Sequence, residues 1–190
     1  KNEKPEKLTL HFDKGEFVGI NDQIDNPINN IIKLQDQAKK FGIGRDTHVG
    51  DTIIGIKGRV GFEAAAPLLI IKAHHLLEKH TLSKWQQFQK EQLGSFYGIL
   101  LHEGQYLDPV MRDLEAFLRN SQSCVTGKVF VTLHPYRFEL IGIDSDHDLM
   151  NAAFGSYGEI NKGWSADDAK GFIKLLSNQN KIYQFVNKEK

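Results

Sequence analysis

Leu8, Leu10 and Phe12 are separated by polar residues, the period-two pattern of a strand with one buried face. Asp13-Lys14-Gly15-Glu16 carries turn residues and Phe17-Val18-Gly19-Ile20 returns, so a β-hairpin is predicted. Asn26-Pro27 reads as a helix start, with Asn as cap and Pro at the first helical position. Ile28, Ile31, Ile32 and Ala38 follow at helical spacing and form its predicted apolar face, and Gly42 stops it. The apolar run over 53–56 predicts a short buried strand. Pro67 opens a second helix, through Leu68, Leu69, Ile70, Ile71, Leu76 and Leu77 to about residue 80. Ser83 caps a third helix reaching about residue 103, in which Gly94 and Gly98 sit one turn apart and predict close helix packing. Asp108-Pro109 opens a fourth, ending near residue 123.

Residues 125–133 and 137–143 read as two strands joined around His134-Pro135-Tyr136, with a short helix after Asp146. A glycine-rich loop follows. Ser165 then caps an acidic first turn, Asp167 and Asp168, and the tail from residue 177 is weakly amphipathic through Ile182, Phe185 and Val186. Hairpins mixed with consecutive helices predict an α+β fold of antiparallel strands, packed helices and a C-terminal helical arm.

Composition narrows the function more than the fold. The 190 residues carry 24 Lys plus Arg against 24 Asp plus Glu. A net charge of zero gives no long-range attraction to nucleic acid or to an anionic membrane. No basic run is interleaved with aromatics, and no apolar stretch reaches the roughly 18 residues of a membrane span. Neither a nucleic-acid nor a membrane partner is expected. Cys124 is the one cysteine, which fits a reducing, cytoplasmic setting, and it is read as structural. The chain opens on Lys1-Asn2-Glu3-Lys4-Pro5 without an initiator Met, as expected after Met removal or for a piece of something larger.

The candidate chemistry lies within 41–67. Gly42, Gly44, Gly50, Gly55, Gly58 and Gly61 are interleaved there with Arg45, Asp46, His48, Asp51, Lys57, Arg59 and Glu63. Glycines let backbone approach a ligand, and Arg offers a planar bidentate fork, so the set could clamp a zwitterion or a carboxylate. It fits equally a glycine-rich connection around a structural strand, its charges solvated or paired. Gly42-Ile43-Gly44 lacks the third glycine of a dinucleotide fingerprint, and no phosphate-loop or nucleophile-elbow pattern exists. No nucleotide site is therefore expected in this chain. Asp144-Ser145-Asp146-His147-Asp148 starts like a calcium loop, but Leu149 and Gly155 stand where glycine and glutamate are needed. His74 and His75 are adjacent and are expected to point to different faces, and no metal site is predicted.

Gly42-x-Gly44-Arg45, Gly55-x-Lys57-x-Arg59 and Glu63 resemble, in order, the signature of the argininosuccinate synthase family. Gly104-Gln105-Tyr106-Leu107-Asp108-Pro109, Ser121-Gln122-x-x-Val125-x-Gly127-x-Val129 and Asp168-Ala169-Lys170-Gly171-Phe172-Ile173 are similar to later family motifs in the same order. The resemblance covers nearly the whole chain. It implies ATP-dependent ligation of citrulline to aspartate, with release of AMP and pyrophosphate. It implies residues 1–164 as the later part of a synthetase domain and residues 165–190 as an oligomerisation arm of a homotetramer. It implies that ATP with Mg is bound by an N-terminal nucleotide-binding domain, whose serine-glycine-glycine loop is absent here, and that no catalytic residue or metal ligand lies in this part.

Substrate contacts would fall to His48, Asp51, Arg59, Phe62 and Glu63, supported by Gly42, Gly44, Arg45, Gly55 and Lys57. Two positions depart from the family: its citrulline-binding glutamate falls on Gly50, and its tyrosine on Phe62, which keeps the ring and loses the hydroxyl. Asp51 or His48 is expected to stand in for the glutamate, in a pocket that reads the amino-acid end differently or takes a modified citrulline. The alternative is a non-catalytic ligand-binding or oligomerisation module on the same scaffold.

Overall fold

The computed structural model describes residues 4–151 and 163–188, and the chain forms two units, Lys1–Leu149 and Met150–Lys190. In the first unit β1 (Glu6–Asp13) and β2 (Glu16–Ile20) form the expected hairpin, and β3 (Gln23–Ile24) adds an edge. Helix α1 (Pro27–Ala38) continues into a 3₁₀ turn at Lys39–Phe41. Then come β4 (Arg45–Asp51), β5 (Lys57–Glu63), α2 (Ala65–Thr81), α3 (Lys84–His102), α4 (Val110–Ser121), β6 (Gly127–His134) and β7 (Arg137–Asp144). The second unit holds α5 (Ala166–Leu176) and α6 (Asn178–Val186). The fold is α+β. The glycine-rich loop expected before Ser165 lies outside the described residues, as does Gly155.

Five strands make one antiparallel sheet in the order β3-β2-β1-β6-β7. The alternation in β1 does what period two demands: Leu8, Leu10 and Phe12 are buried, and Val129, Val131 and Leu133 of β6 join them on the covered face. Helix α2 covers that face through Ala66, Leu69, Ala73 and Leu77, each without exposed surface. Their spacing of three and four residues keeps them on one stripe. Helix α1 packs on α2 and β2 through Leu34 and Ala38.

The helix is where the sequence placed it, but its inward face is not. Ala38 is buried as expected, but Ile28, Ile31 and Ile32 are exposed, and Asn30 and Leu34 are buried in their place. The Asn26 side chain caps the Asn29 amide at 2.9 Å, and the Asn30 side chain donates to the Asp25 carbonyl at 2.9 Å. These bonds fix the helix's rotation so that the 30/34/38 row points inward. The Asp25 carboxylate is held down to about 2 by Lys33 at 2.9 Å, by the Asn29 side chain and by the Asn26 amide.

A second cluster joins α3 to α4 through Leu93, Tyr97 and Leu100 against Val110, Met111 and Leu114. Gly94 and Gly98 take no part in close packing: a Cβ at either would meet nothing within 4 Å. Helix α3 begins with a full capping box, Ser83 and Gln86 bonding each other's backbone. Cys124, read as structural, is exposed. Asp148 meets His80 on α2 at 3.0 Å, and Ser145 donates to the Thr126 carbonyl. His74 and His75, expected to diverge, both turn toward Glu78, their Nδ1 atoms 3.7 and 3.6 Å from its carboxylate. In the second unit Ser165 and Asp168 form another capping box, and no residue of α5 or α6 is buried. No helix among the described residues is long and apolar enough to cross a membrane.

Glu78 is fully buried, 2.8 Å from the Lys90 ammonium and 2.8 Å from the Gln122 amide nitrogen. Breaking a buried pair from one side typically costs about 3–5 kcal/mol. Glu78→Ala is expected to lower unfolding stability by about that amount, and Glu78→Gln by less, as read by urea denaturation. Burial pushes the His74 imidazole below its ordinary value of 6.5, against the opposing pull of Glu78. A base depressed in the folded state contributes full stability above the unfolded value and loses it as pH falls. The urea midpoint is therefore expected to drop between pH 7 and pH 5, and to drop less steeply in His74→Gln.

Candidate functional site

The stretch read as a buried strand at 53–56 is a turn. Thr52 closes it on Ile56 through both its amide, at 3.2 Å, and its hydroxyl, at 2.6 Å, and Gly55 takes φ +78°. Ile53 and Ile54 are 71% and 78% exposed. The flanking residues, taken from sequence as loop, are the strands β4 and β5. A glycine-stopped reversal inside the apolar run turned its neighbours into a hairpin.

The hairpin's root is clamped and its blades project. Phe41 and Ile43 are buried, and the Tyr136 amide donates to the Phe41 carbonyl at 2.7 Å. Gly42 and Gly44 take φ +73° and +83°. At Gly44 a Cβ would stand 2.5–2.7 Å from the backbone of Ala64 and Ala65, and the Ala64 amide donates to the Gly44 carbonyl at 2.8 Å. Gly44 thus lets the end of β5 and the start of α2 press against the start of β4.

Register sorts the candidate residues onto two faces, because directly opposed residues share a face and neighbours alternate. Arg45 opposes Glu63, Val49 opposes Arg59 and Asp51 opposes Lys57 on one. Arg45 Nε is 3.2 Å from Glu63, and Lys57 Nζ 2.5 Å from Asp51. Arg59 makes no ion pair among the described residues. On the other face Asp46 opposes Phe62, His48 opposes Val60 and Gly50 opposes Gly58. The structure thus brings together Arg45 with Glu63 and Asp51 with Lys57, and sets His48 and Phe62 apart from Arg59 and Glu63.

The second face looks onto α3 across an open groove of about 750 Å³. From the hairpin its walls include His48, Gly50, Ile53, Gly58 and Val60. From α3 they include Ser95, Gly98, Ile99 and His102, with Glu103 at the end. Sequence reasoning missed the α3 wall. The signal was present as Ser95, Gly98, Ile99 and His102 at i, i+3, i+4 and i+7 in a helix whose packed face lies elsewhere. Gly50 and Gly58 leave the groove floor without side chains. The His48 imidazole leans over that floor, Nε2 2.5 Å from where a Cβ at Gly50 would be. Of the supporting residues, Gly55 shapes the tip and Lys57 pairs with Asp51.

These features define a two-layer α+β domain that presents a glycine-floored hairpin against a helix. The arginosuccinate synthase C-terminal domain family matches residues 1–183. The chain is 35% identical over 95% of its length to an argininosuccinate synthase of Xanthomonas campestris, covering 45% of that protein. It is 36% identical over 96% to one of Dictyoglomus turgidum, covering 46%, and 34% identical over 93% to one of Pyrococcus furiosus, covering 43%. The chain belongs to the argininosuccinate synthase family, as its C-terminal domain, and spans a little under half the length of these curated relatives.

Gly44→Ala tests the clamp. A non-glycine residue at positive φ costs of order 1–3 kcal/mol, and here the Cβ also meets backbone that cannot swing aside. A fall in stability of at least about 2 kcal/mol is expected by urea unfolding. Gly55→Ala, with open space around its Cβ, is expected to cost only about 1 kcal/mol.

Proposed function

We propose that this chain is the substrate-pocket and subunit-interface part of an argininosuccinate synthase. The reaction is the ATP-dependent ligation of citrulline and aspartate, in the cytoplasm, within arginine biosynthesis. The supporting observation is the hairpin register. Gly50 and Phe62, the positions matching the family's citrulline-binding glutamate and tyrosine, share a face with His48, and Gly50 and His48 line the groove. On this reading the groove side receives the citrulline-type substrate. Arg59, on the charged face and without an ion pair among the described residues, offers its guanidinium fork to a carboxylate such as that of aspartate. Arg45, Lys57 and Glu63 hold the face around it through their pairs.

ATP, held by a domain outside these residues, would supply activation of the ureido oxygen, so that the aspartate amine could displace it. The described residues do not by themselves fit a magnesium–ATP site: no three His, Cys, Asp or Glu side chains among them stand together as a ligand set. ATP and Mg are assigned to an N-terminal nucleotide-binding domain of the same chain. The exposed apolar residues of α5 and α6, among them Phe172, Ile173, Ile182 and Phe185, suit an arm that docks on a neighbouring subunit of a homotetramer. Deletion after Ser177 is expected to lower the mass measured in solution; an unchanged mass would remove the arm from assembly.

The reaction itself is tested on the product of the complete reading frame around Lys1, given citrulline or a derivative, aspartate and ATP. AMP release that requires both amino acids is expected, and binding without AMP release would leave the non-catalytic module. Arg59→Ala is expected to raise the KM for aspartate roughly 10- to 100-fold, the worth of a lost charged hydrogen bond. Asp51→Ala is expected to change ureido-substrate affinity less than threefold, because Asp51 is an exposed residue paired with Lys57. A larger loss would make Asp51 the stand-in for the missing glutamate.

A further inference from the structure

Citrulline carries one cation, its α-ammonium; its ureido group is neutral and its α-carboxylate anionic. A carboxylate in a citrulline site therefore has the α-ammonium as its one charge-complementary partner. Here the family's glutamate position is Gly50, directly opposite a second glycine, Gly58, so the groove floor carries no charge at that point. The nearest side chain is the His48 imidazole, which stands over Gly50 where a longer side chain would begin. Imidazole can donate to or accept from an amide. It cannot replace a carboxylate as a counter-ion to an ammonium.

The two carboxylates at the groove's edge are exposed and stand off the Gly50–Gly58 floor, each with a partner of its own. Asp51 lies 2.5 Å from the Lys57 ammonium, and Glu103 accepts from the Gln105 side chain at 2.8 Å. Burying an ammonium without a partner is unfavourable, whereas a secondary amide needs only one donor and one acceptor. The groove is also roomy. Its roughly 750 Å³ lies within the range of about 300–1,000 Å³ typical of clefts for ligands larger than a free amino acid. Ile53, Val60 and Ile99 give it apolar wall beside the bare glycines.

We propose that the groove selects a ureido amino acid whose α-amine is acylated, with the amide over Gly50 and Gly58, His48 hydrogen-bonded to it, and the acyl group against Ile53, Val60 and Ile99. This rests on the reading of the chain as part of a citrulline–aspartate ligase. No new bond-forming step is required, since the ureido oxygen and the aspartate amine react as in the unmodified substrate and the amide is a spectator.

The test compares kcat/KM for citrulline and Nα-acetylcitrulline in the complete gene product. A preference of at least tenfold for Nα-acetylcitrulline is expected. Gly50→Glu should shift the ratio toward citrulline by tenfold or more. The new Cβ meets only the far end of the His48 ring, which can rotate away. His48→Ala should lower kcat/KM for the acetylated substrate at least fivefold more than it lowers kcat/KM for citrulline. A wild-type preference for citrulline, or a ratio unmoved in a folded Gly50→Glu variant, overturns the proposal while leaving the ligase reading intact. Turnover of neither compound overturns the ligase reading and this proposal with it. The wild-type ratio decides the matter even where a variant does not fold.

Discussion

Three elements meet on the carboxylate of Glu78, which has no contact with solvent. It comes from α2, its ammonium partner Lys90 from α3, and its amide partner Gln122 from the segment after α4. Gln122 also receives the His74 ring nitrogen at 2.9 Å. Its side chain lies against Gly15 in the β1–β2 turn, so closely that a Cβ there would fall 2.5 Å from the Gln122 oxygen. A buried charge is tolerated only when paired and hydrogen-bonded, so this one site obliges the sheet turn, α2, α3 and the chain after α4 to hold a single arrangement. The apolar core alone does not do this, because the α3–α4 cluster of Leu100, Met111 and Leu114 is separate from the main one.

That constraint reaches the groove. One wall is the outward face of α3, whose direction is set near its start by Lys90 on Glu78 and near its end by Leu100 on α4. The other is a hairpin with no further sheet partner among the described residues, and two-stranded ribbons are marginal in water. Its stability comes from its root, where Phe41 and Ile43 are buried and Gly44 meets the start of α2. A rigid helix thus faces a ribbon anchored at one end. The ribbon carries charge on one face and bare glycine floor on the other, a division that follows from strand alternation alone.

The elements with strong local signals were legible. Asn26-Pro27, Ser83, and Ser165 with its acidic first turn start helices where the structure has them. The alternation of Leu8, Leu10 and Phe12, and the family motifs, led to the sheet and to the family. The errors share one cause. Ile28, Ile31 and Ile32 were read as inward by their chemistry, yet a cap and an asparagine bond rotate that helix otherwise. The run over 53–56 was read as a strand because it is apolar, yet Thr52 and Gly55 close it into a turn. Gly94 and Gly98 were read as packing residues, yet no neighbour approaches them. In each case hydrophobicity or size was visible, and the direction of the residue was not.

The sequence by itself determined the element types outside residues 45–63, the α+β class, the family and the glycine-and-charge character of residues 41–63, because these depend on spacing and local backbone preference. Tertiary structure alone decided what each face meets. Strand alternation puts Gly50 on the face of His48, but only pairing register sets it opposite Gly58, and only the packing of α3 brings Ser95, Ile99 and His102 across from them. The packing of α3 is settled by contacts between residues distant in sequence, such as Lys90 with Glu78 and Leu100 with α4, and a single chain read in order carries no record of those contacts.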